Sequence, residues 1–217
     1  SFVALYLEYI FKLNSPIVNF LWVLMMIAVA NASVLNQAGL KLIRMFFYTF
    51  GAFLFSTLLT IAPLFILFEP GVLISPRYLI PLGGMILGNI LRVNIVSLER
   101  FYHAIRTRGD EFIFYIQMGA SKWEALKPFL KESVNSAISP YLATIATIGL
   151  VSLPGMMTGQ ILGGSSPAVA IKYQIMIMIS IFVTAAISTF LGVLLSTYGT
   201  FDGYLRLKTE VFRKTDS

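Results

Sequence analysis

Apolar runs near residues 17–37, 45–68, 73–96, 133–153 and 168–198 are each long enough, as a helix, to cross a bilayer. About 20 residues suffice for about 30 Å of hydrocarbon. A sixth run, residues 1–13, reads as an incomplete helix. Inside hydrocarbon every backbone polar group needs a partner within the protein, which leaves helix bundles and closed barrels. Barrel strands alternate in polarity over about ten residues, and these runs do not alternate. Composition agrees, with 57% hydrophobic and 12% charged residues, against roughly 45–50% and 25% in soluble domains. The chain is therefore read as an all-α, polytopic membrane helix bundle of about six spans, one domain over residues 1–217. The absence of cysteine excludes disulfides and thiolate metal sites. The chain opens at Ser1 within an apolar run, without an initiator Met or a basic leader, so the natural protein is expected to begin further upstream.

Pro16, the Glu69-Pro70-Gly71 turn with Pro76, and Pro154-Gly155 separate the runs. The basic residues then suggest an orientation, because cytoplasmic loops carry an excess of Lys and Arg. Arg100, Arg106, Arg108, Lys122, Lys127 and Lys131 crowd one long segment; Arg206, Lys208, Arg213 and Lys214 lie in the tail; Lys41 and Arg44 sit near a short loop. If the intervening helices span, all three fall on one side. That side, with the C-terminus, is expected to be cytoplasmic. The net charge of +6 then serves as an orientation signal that also meets anionic lipid. No recognition module for nucleic acid accompanies the charge.

The segment of about 97–131 reads as a cytoplasmic hairpin. Leu98, Phe101, Tyr102, Ile105, Phe112 and Ile116 recur at helical spacing and form one apolar stripe. The fourth membrane helix is thus expected to continue as an amphipathic stalk, with Gly109 as a weak point. Gly119-Ala120-Ser121 breaks it, and Ser121 with Glu124 has the spacing of a capping box. A short helix, Lys122 to Leu130, is expected to follow. A hairpin of this kind suits docking on a soluble partner; a helix lying on lipid is the other reading.

A second irregular stretch, about 153–167, interrupts the apolar sequence GLVSLPGMMTGQILGGSSPAVAIKYQI, Gly149 to Ile175. Broken backbone at membrane depth is tolerated where protein buries it or water lines it, and the charge pattern assigns this break to the outer side. Pro154, Gly155, Met156, Met157 and Gln160 are candidates for a translocation path. Polar residues within the runs, Glu8, Asn31, Asn36, Gln37, Asn89 and Asn94, read mostly as interhelical hydrogen bonds, with Asn89 and Glu8 the better path candidates. Gly83, Gly84 and Gly88 permit close helix approach. Met156 and Met157 could offer thioether ligands, although methionine also fills gaps in apolar packing; no metal site is assigned.

Several chemistries are missing. The sequence has no GxxxxGK[ST] phosphate loop and no GxSxG. His103 is the one histidine, so multi-histidine zinc sites are impossible. The chain is expected to be neither an enzyme nor the holder of a cofactor, and any ATP hydrolysis would belong to another subunit.

Three blocks carry a resemblance. The run Val151 to Ile175, the segment IPLGGMILGN from Ile80 to Asn89, and QMGASKWEALKPFLKESVNSAISP from Gln117 to Pro140 resemble the Fet-type family of ABC transporter permeases. That family is implicated in bacterial iron export and related to a plant aluminium-tolerance permease. The resemblance implies a multi-pass permease of the inner (plasma) membrane, working as a homodimer. Each copy would dock on a cytoplasmic ABC ATPase that binds ATP and Mg. It also implies a coupling turn at Gly119, Ala120 and Ser121, with Trp123 beside it and Glu111 placed more loosely, eight positions before Gly119 rather than six. Export of iron or another metal is the implied function. An ATP-independent channel or secondary carrier is the alternative. The stretch between Glu132 and Asp202 has no acidic residue, so a naked multivalent cation would be poorly compensated at the break, and a chelate or another solute is compatible with it.

Overall fold

The computed structural model describes residues 15–63, 75–147, 154–202 and 207–212. These form seven α-helices: α1 (Pro16–Gln37), α2 (Leu42–Ile61), α3 (Pro76–Thr107), α4 (Gly109–Gln117), α5 (Lys122–Thr147), α6 (Gly155–Leu162) and α7 (Pro167–Thr200). A 3-10 turn, Thr209–Val211, follows. Proline opens α1, α3 and α7, where a missing N–H costs nothing and the fixed φ suits a helix.

Four helices, α1, α2, α3 and α7, are long and apolar enough to cross a membrane. Of the six spans expected from sequence, the run at 1–13 lies outside the described residues. The run at 133–153 begins inside α5, whose described part ends at Thr147. The short helix expected over Lys122 to Leu130 is the start of this 26-residue helix. Nothing interrupts it after Leu130, and the Ser133 hydroxyl turns back to donate to the Leu130 carbonyl at 2.9 Å. Expectation and structure also part at Arg108, where α3 ends and α4 starts at Gly109.

Cross-helix contacts fix the directions of the elements. Asn94 Nδ2 donates to Ser188 Oγ at 2.8 Å, and Tyr102 Oη to Ser196 Oγ at 2.6 Å. Both pairs are 94 residues apart, so α3 and α7 run parallel, with residue n of one level with n + 94 of the other. Space for a side chain at Gly192 is limited by Phe53, and at Gly199 by Met45 and Tyr48, so α2 is antiparallel to α7. Val93 clusters with Ala137 and Ala185, Arg108 pairs with Glu132, and Trp123 meets the Phe190 ring edge-on. Hence α5 returns antiparallel along α3 and α7.

On α7 the polar residues face inward and the apolar ones outward. The face of α7 that packs on α2 and α3 buries Ser180, Thr184, Ser188, Thr189, Ser196, Thr197 and Thr200, while Ile171, Ile175, Ile179 and Val183 are exposed. Small and hydroxylated residues let helices approach closely and bond to one another, and the outward isoleucines suit lipid. Thr184, Ser188 and Ser196 satisfy their hydroxyls on carbonyls of their own helix. Large side chains fill the rest, among them Phe53, Phe101, Phe129, Leu98 and Ile90.

Candidate functional site

Basic residues from four separate stretches gather at one end of the bundle. The Lys41 amide donates to the Val211 carbonyl at 2.8 Å, and Arg44 pairs with Glu210 at 2.8 Å. Arg106 lies over the Phe212 ring. Lys122 Nζ donates to the Thr197 carbonyl at 3.2 Å and stands over the Phe201 ring. Burial, with Lys208 as the second cause, holds that ammonium below the usual lysine value of 10.5. The α1–α2 loop, the α4 hairpin and the tail residues 207–212 therefore share one end, as the charge pattern predicts.

The hairpin at this end follows from local signals. The predicted stripe is buried at Leu98, Phe101, Tyr102, Ile105 and Phe112, and half-buried at Ile116. After α4 the chain turns at Gly119, whose φ of +90° is costly for residues with a Cβ. The Gly119 amide donates to Ile116 O and the Ala120 amide to Tyr115 O, both at 3.0 Å, closing a Schellman motif that satisfies the last carbonyls. Ser121 then caps α5: its amide donates to Glu124 Oε2 at 2.8 Å, its hydroxyl does so at 2.6 Å, and the Glu124 amide returns a bond to Ser121 Oγ at 3.3 Å. These bonds, the hydroxyl first, hold the Glu124 carboxyl below the usual value of 4.5.

Gly119 and Ser121 are exposed and Ala120 is half-buried. Around them Ile113, Phe114, Met118 and Trp123 also present apolar surface. Glu111 lies in the first turn of α4, where it pairs with Arg108 at 3.5 Å and accepts from Tyr115 Oη at 3.4 Å. The structure thus places Gly119, Ala120, Ser121 and Trp123 at the turn, whereas Glu111 stands apart from them in the first turn of α4. Sequence reasoning missed what fastens them: Arg108 pairs with both Glu111 and Glu132 and lies over Phe129, joining the start of α4 to α5.

The second candidate group sits at the opposite end, where α6 packs on α7. Met157 is buried, Met156 half-buried against the core, and Gly155 exposed. Thr158 Oγ1 donates to the Pro154 carbonyl at 3.2 Å. Gln160 Oε1 is buried without a hydrogen-bond partner among the described residues. A Schellman turn at Gly164, φ +91°, ends α6 through Ser165 N to Gln160 O at 2.9 Å. Among the described residues no three His, Cys, Asp or Glu side chains gather to hold a metal. The methionines pack into the core, as their gap-filling role predicts.

Asn89 belongs to neither group. Its Nδ2 donates to the Met85 carbonyl of its own helix at 2.8 Å, and its side chain lines a groove of about 270 Å³ between α3 and α5. By contrast Asn31 and Asn94 do bridge helices, to Phe46 O and Ser188 Oγ. Gly83 and Gly84 face Val23 and Met26 of α1, whereas Gly88 faces open space. Glu8 lies outside the described residues.

Residues 1–201 match the Uncharacterised protein family (UPF0014). The chain belongs to this family. It is 31% identical over 191 residues, 88% of its length and 72% of the relative's, to the Probable iron export permease protein FetB of Escherichia coli (strain K12). Over 182 residues it is 31% identical to the UPF0014 membrane protein YjkA of Bacillus subtilis (strain 168), covering 84% of this chain and 72% of that one. Protein ALUMINUM SENSITIVE 3 of Arabidopsis thaliana is 34% identical over 138 residues, 64% of this chain and 50% of the plant protein. No solved structure matches. UPF0014 membership and the apolar helices together make the chain a multi-pass membrane protein, and FetB-like permeases are among its relatives.

Proposed function

We propose that this UPF0014 member is the permease subunit of an ATP-driven transporter of the ABC type, docked on a separate cytoplasmic ATPase and paired with a second copy of itself. The observation that carries the reading is the exposed turn Gly119-Ala120-Ser121 with Trp123, set at the basic end of the bundle. A docking turn must also transmit force. Arg108 ties the α4 hairpin to α5, and Trp123 abuts Phe190 of α7. A rigid displacement of the turn would therefore be felt by α3, α5 and α7 together.

On this reading the basic end is cytoplasmic, the last turns of α3 form the stalk, and α6 forms part of an outer wall or gate. ATP binding draws two ATPase copies together and pulls on the two hairpins. That bias shifts a two-state bundle, and transport follows when the states bind solute with different affinity. Kinship with an iron export permease supports metal export as the activity. The test is retention of the ATPase. The chain is isolated from its own membranes with the ATPase subunit, and Trp123→Ala and Gly119→Val are expected to lose most of it. Leu162→Ala, exposed at the opposite end, is expected to keep it. Equal retention in all three would favour a carrier that works without ATP.

A further inference from the structure

We propose that the groove between α3 and α5 is a binding site for a carboxylate- or phosphate-bearing anion, with Arg92 as its charged anchor. Arg92 lines this groove with Asn89, Ser136, Tyr141 and Thr144. The parallel register of α3 and α7 fixes its depth: residue 92 is level with 92 + 94 = 186, close to the middle of α7, Pro167–Thr200. A guanidinium is thus held near mid-depth on the exposed side of the bundle. Such a charge is costly in hydrocarbon and is normally retained where it faces a partner or a water-filled path.

Two observations point to a path rather than a protein partner. Among the described residues Arg92 makes no ion pair. Glu132 is engaged by Arg108, and Glu99, on the same side of α3, lies two turns or about 10 Å along the helix. The outward face of α5 is also unlike that of its neighbours. Between Ser133 and Thr147 it exposes Asn135, Ser136, Ser139, Thr144 and Thr147 among Pro140, Leu142, Ala143 and Ala146, whereas beyond Lys172 and Tyr173 near its start α7 exposes Ile175, Ile179 and Val183. A polar face at bilayer depth beside an arginine fits water and solute better than acyl chains.

The chemistry of the groove selects an anion. Arg92 offers a planar fork suited to bidentate carboxylate or phosphate binding. The Asn89 amide, with one N–H used on Met85, keeps another donor, and the Ser136 hydroxyl can donate as well. No carboxylate lines the groove, so a bare metal cation would meet a positive charge and no ligand of opposite sign. The groove's place in transport rests on the transporter reading above, under which the cargo is an anion or an anionic metal chelate. Its affinity for anions is a property of the chain alone, so the two readings fail separately.

The test is equilibrium binding to the full chain in phosphatidylcholine nanodiscs, with citrate, ferric citrate, inorganic phosphate and ferrous ion as probes. At least one of the three anionic probes is expected to bind better than ferrous ion. Arg92→Gln is expected to weaken that binding about tenfold, and Arg92→Lys to weaken it less. Asn89→Ala and Ser136→Ala leave the charge in place and are expected to weaken it about threefold, which keeps the proposal testable if Arg92→Gln fails to fold. Displacement of the bound anion by added phosphatidylglycerol would assign the site to a lipid headgroup, and persistence would assign it to a solute. Ferrous ion alone binding, no probe binding, or full binding by a folded Arg92→Gln chain would overturn the proposal.

Discussion

Gly192 and Gly199 stand where a side chain on α7 would crowd its neighbours. A Cβ at Gly199 would lie 2.9 Å from Tyr48 Cε2 and 3.1 Å from Met45 Sδ. At Gly192 it would lie 3.0 Å from Asn94 Oδ1, the amide oxygen of a residue already bonded to Ile90 and Ser188. Overpacking of this kind costs about 1–3 kcal/mol. Gly192→Val and Gly199→Val are therefore expected to lower the thermal unfolding midpoint of the purified chain in detergent, and Gly88→Val, facing open space, to leave it nearly unchanged. Sequence patterning flagged Gly83, Gly84 and Gly88 but gave no signal for Gly192 or Gly199, because what crowds them comes from helices far away in the chain. Arg92, a charge within the run at 73–96, was missed among the polar residues of the runs. Its depth came only with the register of α3 against α7.

The α4–α5 hairpin is the element whose form was most legible beforehand, since each of its signals is local. An apolar stripe, a Gly turn and a Ser-x-x-Glu cap act within a few residues of one another, and all three appear in the structure. What could not be read was the onward course of α5 through Pro128 and Pro140, which depends on the protein surface it lies along. The cap has a pH signature. Glu124 titrates below the usual carboxylate value because Ser121 bonds its charged form. Its contribution is thus complete above the unfolded value and is lost as pH falls through the depressed one. Amide protection of the first turn of α5 is expected to fall on acidification below about pH 4.5, while Glu124→Ala, which removes the accepting oxygen, is expected to show the weakened protection at neutral pH already. A protection profile of wild type and variant that coincide at neutral pH would remove the cap from the account of this hairpin.

Among the described residues, the bundle has a basic end with an exposed turn, an opposite end where α6 packs on α7, and a side along α5 where hydroxyl and amide side chains are exposed among apolar ones. The sequence conveyed the two ends through charge and breakers. The exposed hydroxyls on that side are a product of packing, because α5 reads as one more apolar run until Ser136, Ser139, Thr144 and Thr147 are seen to face outward. On the proposed function, force enters at Gly119–Trp123 and changes access to a path beside α3 and α5. The most direct measurement is ATP turnover by the permease–ATPase complex in proteoliposomes, comparing the natural chain with Trp123→Ala and Gly119→Val. Turnover is expected to fall about tenfold, in line with loss of an aromatic anchor buried at an interface. Turnover unchanged in both variants, with the ATPase still bound, would contradict it.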